Sequence, residues 1–235
     1  MRHIVTIAGS LLACLLLVGC QCVTSEQSED LGFRPLFPAN GLPQGWVPRA
    51  WNDVSKPPAE PSNWEVVDGV LMGGVPRGSW LMSEQEYDDF ILEFEFKLGE
   101  RGNSGCALRA PMKGDPAFDG IELQMADFRY NTAAKDSELT GGLYRAVAPL
   151  KQVYRPTEWN TYRIKMLGNK MEVRLNGVKI QDLDLSKQNA VVLRHDNSRA
   201  PAIKDRPKRG HIGFQELSRE GGRASIRNAR IKVLK

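Results

Sequence analysis

From residue 64 to residue 233 apolar and polar positions alternate in short runs, each closed by turn-forming residues. The clearest run is 89–98 (DFILEFEFKL). Phe90, Leu92, Phe94 and Phe96 fall on one side, and Ile91, Glu93, Glu95 and Lys97 on the other. A period of two predicts a strand with one greasy and one polar face. Residues 64–72 hold an Asp-Gly pair mid-run, which predicts a hairpin. Further strands are expected at 79–83, 105–109, 120–125, 142–144, 159–167, 170–175, 178–183, 210–216 and 224–233, with Asn176-Gly177 as a tight turn. No long run has the 3.6-residue spacing of a helix. About a dozen strands, each with an apolar face to cover, must stack as two sheets. The expected fold is therefore all-β: a two-sheet antiparallel β-sandwich of jelly-roll type. Trp159 reads as a core residue.

The N-terminus has a different pattern. Arg2 and His3 precede a nearly unbroken apolar run at 4–18. That is short of the roughly 20 residues that span a bilayer, and has the form of a signal-peptide core. Leu17-Val18-Gly19-Cys20 has the form of a bacterial lipobox, so residues 1–19 are expected to be removed and Cys20 lipidated. Acyl chains there would tether the protein to the membrane. Gln21, by resemblance to enterobacterial lipoproteins, favours the outer membrane. The expected location is the bacterial cell envelope. Residues 20–30 read as a polar tether and 31–235 as one domain. Within it, 34–61 is rich in Pro and Gly and reads as an irregular lead-in that packs Trp46 and Trp51 against the domain.

Composition refines this only in part. With 32 basic and 28 acidic residues the charge is too even for nucleic acid to be the main partner. The basic excess concentrates at 186–209, which carries Lys187, Arg194, His195, Arg199, Lys204, Arg206, Lys208 and Arg209. That segment reads as a solvated loop, with an anion-attracting rim as the alternative. Of four cysteines, Cys14 leaves with the signal and Cys20 carries lipid. Cys22 lies in a polar tail and Cys106 in a strand, a poor arrangement for a bridge. No paired-Cys or Cys/His spacing suggests structural zinc.

Several short motifs then follow in a specific order. These are Gly102-Asn103-Ser104-Gly105 before Arg109, Gly120-Ile121-Glu122-Leu123-Gln124 before Asp127, and Thr140-Gly141-Gly142-Leu143-Tyr144. Glu158-Trp159-Asn160, Leu175-Asn176-Gly177, Gly210-His211-Ile212-Gly213-Phe214-Gln215 and Ile226-Arg227-Asn228-Ala229-Arg230-Ile231 come after them. Together they resemble the bacterial 3-keto-disaccharide hydrolase domain family over residues 31–235. The resemblance implies a concanavalin A-like lectin/glucanase jelly roll and cleavage of 3-keto-disaccharides or 3-keto-glycosides. The chain departs from the family pattern at Glu216-Leu217-Ser218 and at Ile226 and Ala229 of the last motif.

Strand parity puts Glu122 and Gln124 on one face, opposite Ile121, Leu123 and Met125. Asn103 and Arg109 share a face, as do His211 and Gln215; Asp127 lies just beyond its strand. With Tyr144 these residues make a candidate sugar groove. Asn103, Gln124, Tyr144 and Gln215 are the candidate substrate-binding residues. A glycosidase needs two carboxylates, and Glu122 and Asp127 are the natural pair. A 3-keto sugar allows another route, in which the carbonyl acidifies the C2 proton and elimination precedes addition of water. Glu122 or His211 is then the candidate base, Arg109 the stabiliser of the enolate oxygen and Asp127 the acid for the leaving group. A divalent metal on Glu122, Asp127 and His211 is the alternative electrophile. In a structural reading, Arg109 and Glu122 form a cross-strand ion pair. The competing functions are a non-catalytic carbohydrate-binding module or lectin, and an envelope protein that holds polyanions through the basic segment.

Overall fold

A computed structural model describes residues 31–234 of the chain. The expected signal segment, the tether, Cys14, Cys20 and Cys22 lie outside the described residues. Gly32–Lys235 forms one compact unit.

Thirteen strands are present among the described residues. They are β1 (Arg34–Pro35), β2 (Trp46–Ala50), β3 (Glu65–Val67), β4 (Val70–Met72), β5 (Ser79–Tyr87), β6 (Phe90–Leu98) and β7 (Asn103–Ala110). After them come β8 (Ile121–Ala126), β9 (Asn160–Leu167), β10 (Lys170–Leu175), β11 (Val178–Asp184), β12 (Gly210–Glu216) and β13 (Ala224–Val233). One short helix, α1 (Pro116–Asp119), sits between β7 and β8. The strands pair antiparallel in two sheets, ordered β11-β10-β9-β6-β13-β4-β3 (with β1 also on β13) and β2-β5-β12-β7-β8. This is the expected jelly-roll sandwich.

The core lies between the sheets. Phe90, Leu92, Phe94 and Phe96 of β6 and Tyr162, Ile164 and Met166 of β9 meet Leu123 and Met125 of β8 and Ile212 and Phe214 of β12. Each such side chain contributes about 1.5–3 kcal/mol by leaving water. The outer face of the larger sheet is held by ion pairs. Glu93 takes Arg163 and Arg230, and Glu95 takes Arg227. Trp159 is not in the core: it lies on this outer face with the Arg227 guanidinium 4.0 Å from its ring centre.

Two expectations need correction. Residues 142–144 do not form a strand. Gly141 has φ +94, so the chain turns there, and Leu143 makes only single bridges to Leu123 and Val147. The lead-in is not wholly irregular, since it contributes β1 and β2. β2 is a sheet edge, where Pro48 is tolerated because its missing N–H is not needed. Trp46 of β2 packs in the core, stacked on Phe214 with ring centres 5.9 Å apart.

The smaller sheet positions the site. Its inner face is core. Part of its outer face is covered by Val54 and Trp51 over Trp80, Met82, Ala107 and Ala110. The rest of that face is polar and opens into a cavity.

Candidate functional site

The cavity has a volume of about 510 Å³. Its floor is Asn103 of β7, Glu122 and Gln124 of β8 and Gln215 of β12. Its walls are loops: Trp51, Arg77 and Gly78 on one side, Tyr130 and Leu217 on another, Asp115, Ala117, Tyr144 and His195 on a third.

Local sequence explains the floor. β7 and β8 are paired with Gly105 opposite Gln124 and Ala107 opposite Glu122. The Glu122 side chain lies back across β7. A Cβ on Gly105 would come within 1.9 Å of its Oε1, so only glycine leaves room for the carboxyl. β8 is a sheet edge, and the 139–144 turn covers it. The Tyr144 N–H donates to Glu122 O at 3.0 Å and the Gln124 N–H to Gly142 O at 2.9 Å. Covering the edge satisfies its backbone and seats Tyr144 at the cavity.

The third wall is α1 and the basic segment. Asp115 caps α1, its Oδ1 accepting from Ala117 N–H at 3.0 Å, and Pro116 follows in the first helical turn, where its missing N–H costs nothing. His195 packs among aromatic rings. Its ring centre is 5.3 Å from Phe118, 5.6 Å from Trp51 and 6.0 Å from Tyr144.

The electrostatics of this pocket separate its acids. Glu122 is fully enclosed; burial, then the nearby Asp115 charge, pushes its carboxyl well above the usual range, so it is held protonated. Its Oε1 has no hydrogen-bond partner in the protein, and neither has the buried Oδ1 of Asn103. Asp115 is pushed up to about 6, first by burial and then by Asp119, against the lowering effect of its bond from Ala117. His195 is shifted down by burial and by the Arg145 cation, so its imidazole is neutral near pH 7. Burial, first of all, raises Tyr144, which keeps its phenol proton. One pocket thus holds a protonated carboxyl, a carboxyl that titrates near 6 and a neutral imidazole. Such a divergence is the arrangement expected of acid–base pairs.

Among the residues expected from sequence, Asn103, Glu122, Gln124, Tyr144 and Gln215 meet at this cavity. Three others lie elsewhere. Arg109 is at a bulge, with φ +50, where β12 pairs His211 with Ala110 and then Gly213 with Ala107. The extra residue breaks the alternation, and Arg109 turns to the end of the sandwich. There its Nε donates to Asp88 O (2.7 Å), its Nη1 to Gly168 O (2.8 Å) and its Nη2 to Asp89 Oδ1 (3.0 Å). It does not pair with Glu122. His211 lies at the same bulge, its Nδ1–H donating to Ser83 O at 2.7 Å. Asp127 is fully buried and lines only a small neighbouring cavity of about 50 Å³. Burial raises its pKa, but bonds from Arg129 Nε (2.7 Å) and Nη2 (2.8 Å) outweigh this and hold it ionised. The Glu122–Asp127–His211 metal set is therefore not assembled. Among the described residues no group of three or more His, Cys, Asp or Glu side chains is placed to hold a metal ion.

Sequence reasoning missed Trp51, Asp115 and His195. His195 stood in the basic segment, and the only available signal was one His beside a charge run. That segment is neither a free solvated loop nor an anion rim throughout, because Arg194 and Arg206 turn inward onto α1.

Residues 32–232 match the family described as the 3-keto-alpha-glucoside-1,2-lyase-like domain. The chain belongs to this family. Two structures of candidate glycosyl hydrolases from Parabacteroides distasonis are similar to it. One is 26% identical with a TM-score of 0.68, covering 86% of this chain and 99% of its own. The other is 25% identical with a TM-score of 0.66, covering 91% and 99%. A third from the same organism, 23% identical with a TM-score of 0.60, shares the fold and covers 87% of this chain and 84% of its own. No protein of curated function matches the chain. Family membership and these neighbours support a glycoside-related function for the domain.

Proposed function

We propose that the protein cleaves the glycosidic bond of 3-keto-disaccharides or 3-keto-glycosides in this cavity by elimination followed by hydration. The observation that carries the reading is the buried Glu122, which lines the same cavity as Asp115 and His195 and whose Oε1 has no hydrogen-bond partner in the protein. The chemistry needs a base and an acid at once. Asp115 or His195 takes the proton from C2. The C–H electrons form C2=C3, and the C3 carbonyl becomes an enolate. Collapse of the enolate forms C1=C2 and breaks the bond from C1 to the leaving oxygen, which takes the Glu122 proton. Water then adds its hydroxyl to C1 and a proton to C2. Asn103, Gln124 and Gln215 supply amide groups for sugar hydroxyls, and Trp51 and Tyr144 supply ring surface. The acid role expected of Asp127 passes to Glu122 because Asp127 does not line the cavity, and Arg109, bonded at the end of the sandwich, has no part in the step.

The test is turnover of a 3-keto-glucoside by purified protein, read as product release. Glu122→Gln should lower kcat by about 10²–10⁴, the usual contribution of a positioned acid or base. Unchanged turnover would overturn the assignment. Binding of the sugar without turnover by the wild-type protein would favour a carbohydrate-binding module instead.

The envelope location rests on residues 17–20. Cys20→Ser should move the protein from the membrane fraction to the soluble fraction, since a lipid anchor needs its acyl chains. A variant still held in the membrane fraction would sink the anchor.

A further inference from the structure

The basic segment at 186–209 folds back on itself before it reaches the cavity. Leu193 and Arg199 bridge, Arg194 N–H donates to Ser198 O at 2.8 Å and Ala200 N–H to Val192 O at 2.9 Å. Asp196 closes the turn by accepting from Ser198 N–H at 2.9 Å. His195 therefore rides near the tip of a small, internally bonded turn, not on a slack loop.

Three arginines join this turn to the rest of the wall. Arg194, next to His195 in the chain, donates from Nη1 and Nη2 to Asp119 Oδ2 (2.9 Å) and Oδ1 (2.6 Å). Asp119 in turn accepts from Asp115 N–H at 3.0 Å. Arg206 donates to the carbonyls of Ala117 (3.2 Å) and Gly120 (2.8 Å) at the two ends of α1. Arg145 donates to Leu193 O at 2.9 Å. A four-residue helix has too few internal bonds to hold its own orientation. Its position comes from these outside donors and from Ala117 and Phe118, which pack against Ala200, Tyr144 and Val192.

We propose that Arg194 is a positioning residue, whose two-pronged bond to Asp119 locks α1 to the 193–199 turn and so sets Asp115 and His195 on the same cavity. This rests on the reading that those two residues serve the chemistry of the cavity. A planar guanidinium gripping both oxygens of a carboxylate fixes direction as well as distance, which an ammonium does not. The charged groups that face Asp115 are Asp119, Arg194, Arg145 and Arg206, and the protonated Glu122 and Tyr144 are the other titratable groups there. Those that face His195 are Arg145, Glu138 and Asp196. Loss of Arg194 therefore does two things. It frees the turn, and it removes a cation beside Asp115 while leaving the Asp119 charge in place.

The experiment uses the full chain and three proteins: wild type, Arg194→Gln and Arg194→Lys. The first measurement is turnover of a 3-keto-glucoside across pH. The second is NMR titration of the Asp115 carboxyl and the ring proton shifts of His195, which needs no turnover. Arg194→Gln should lower kcat by about 10- to 100-fold, the cost of misplacing a reacting group by an ångström, with much less change in KM. Its Asp115 midpoint should move up, and the His195 ring shifts should approach exposed values. Arg194→Lys should keep the Asp115 midpoint near the wild-type value and recover only part of kcat. If Arg194→Gln does not fold, the Lys variant decides. An unchanged Asp115 midpoint together with unchanged His195 shifts in Arg194→Gln would overturn the proposal, as would full activity in that variant. Wild-type protein inert on 3-keto-glycosides would refute the chemistry, while the NMR result would still judge the positioning.

Discussion

Glu122→Gln tests the electrostatics of the cavity apart from any substrate. Glu122 is 3% exposed, and its carboxyl has a raised pKa because burial and Asp115 both disfavour the charged form. The unfolded chain ionises this group near 4.5, its ordinary value. As pH rises from there, the unfolded state loses the proton while the folded state keeps it. The unfolded state then binds fewer protons, so stability falls with pH by about 1.4 kcal/mol per unit until the folded group also ionises. Glutamine has nearly the same shape and no charge to bury. The variant should match the wild type below pH 4.5 and become progressively more stable above it. The assay is urea unfolding by tryptophan fluorescence at several pH values, plotted as the difference between the two proteins. Asp115 and Glu216, whose pKa values burial also raises, are present in both proteins, so the difference isolates Glu122 and its coupling to Asp115. A flat difference from pH 4 to 8 would refute the claim that Glu122 is held protonated, and with it the acid role.

Other substitutions probe how the site is built. Gly105→Ala puts a Cβ within 1.9 Å of Glu122 Oε1. It should displace the carboxyl and cost about 1–3 kcal/mol of stability, the usual range for overpacking, along with most of the turnover; a fully active, equally stable variant would count against the packing. Arg109→Ala removes the three bonds that tie β7 to the Asp88-Asp89 and Gly168 turns. It should lose at least about 2 kcal/mol in urea unfolding, because it removes three hydrogen bonds made by a charged group and leaves their acceptors without that partner. Its kcat/KM at permissive temperature should fall by less than about tenfold, or about 1.4 kcal/mol of barrier. A large kinetic loss with intact stability would restore Arg109 to the reaction. In the pH profile of kcat, a limb near pH 6 should vanish in Asp115→Asn, following the Asp115 value of about 6. A limb that persists would assign the base to His195.

What the sequence determined by itself was local and periodic. The alternation in β6 gave its core face, and the alternation in β8 put Glu122 and Gln124 together, opposite Leu123 and Met125. A strand's side chains alternate by covalent geometry, so no distant residue is needed to read this. The same rule failed at Arg109 and His211. A bulge is one extra residue set by how two strands pair, and nothing in either strand alone announces it. The walls of the cavity were less legible still. Trp51, Asp115 and His195 come from three loops far apart in the chain, brought together by ring packing and by Arg194 and Arg206 reaching α1. Such contacts join residues separated by about 75 to 89 positions, and their partners are ordinary arginines and aspartates until the fold selects them. Pattern thus decided the sandwich and the floor of its cavity. Only tertiary structure decided that Asp115 joins Glu122 at the cavity while Asp127 does not, and burial there, not residue type, set their protonation.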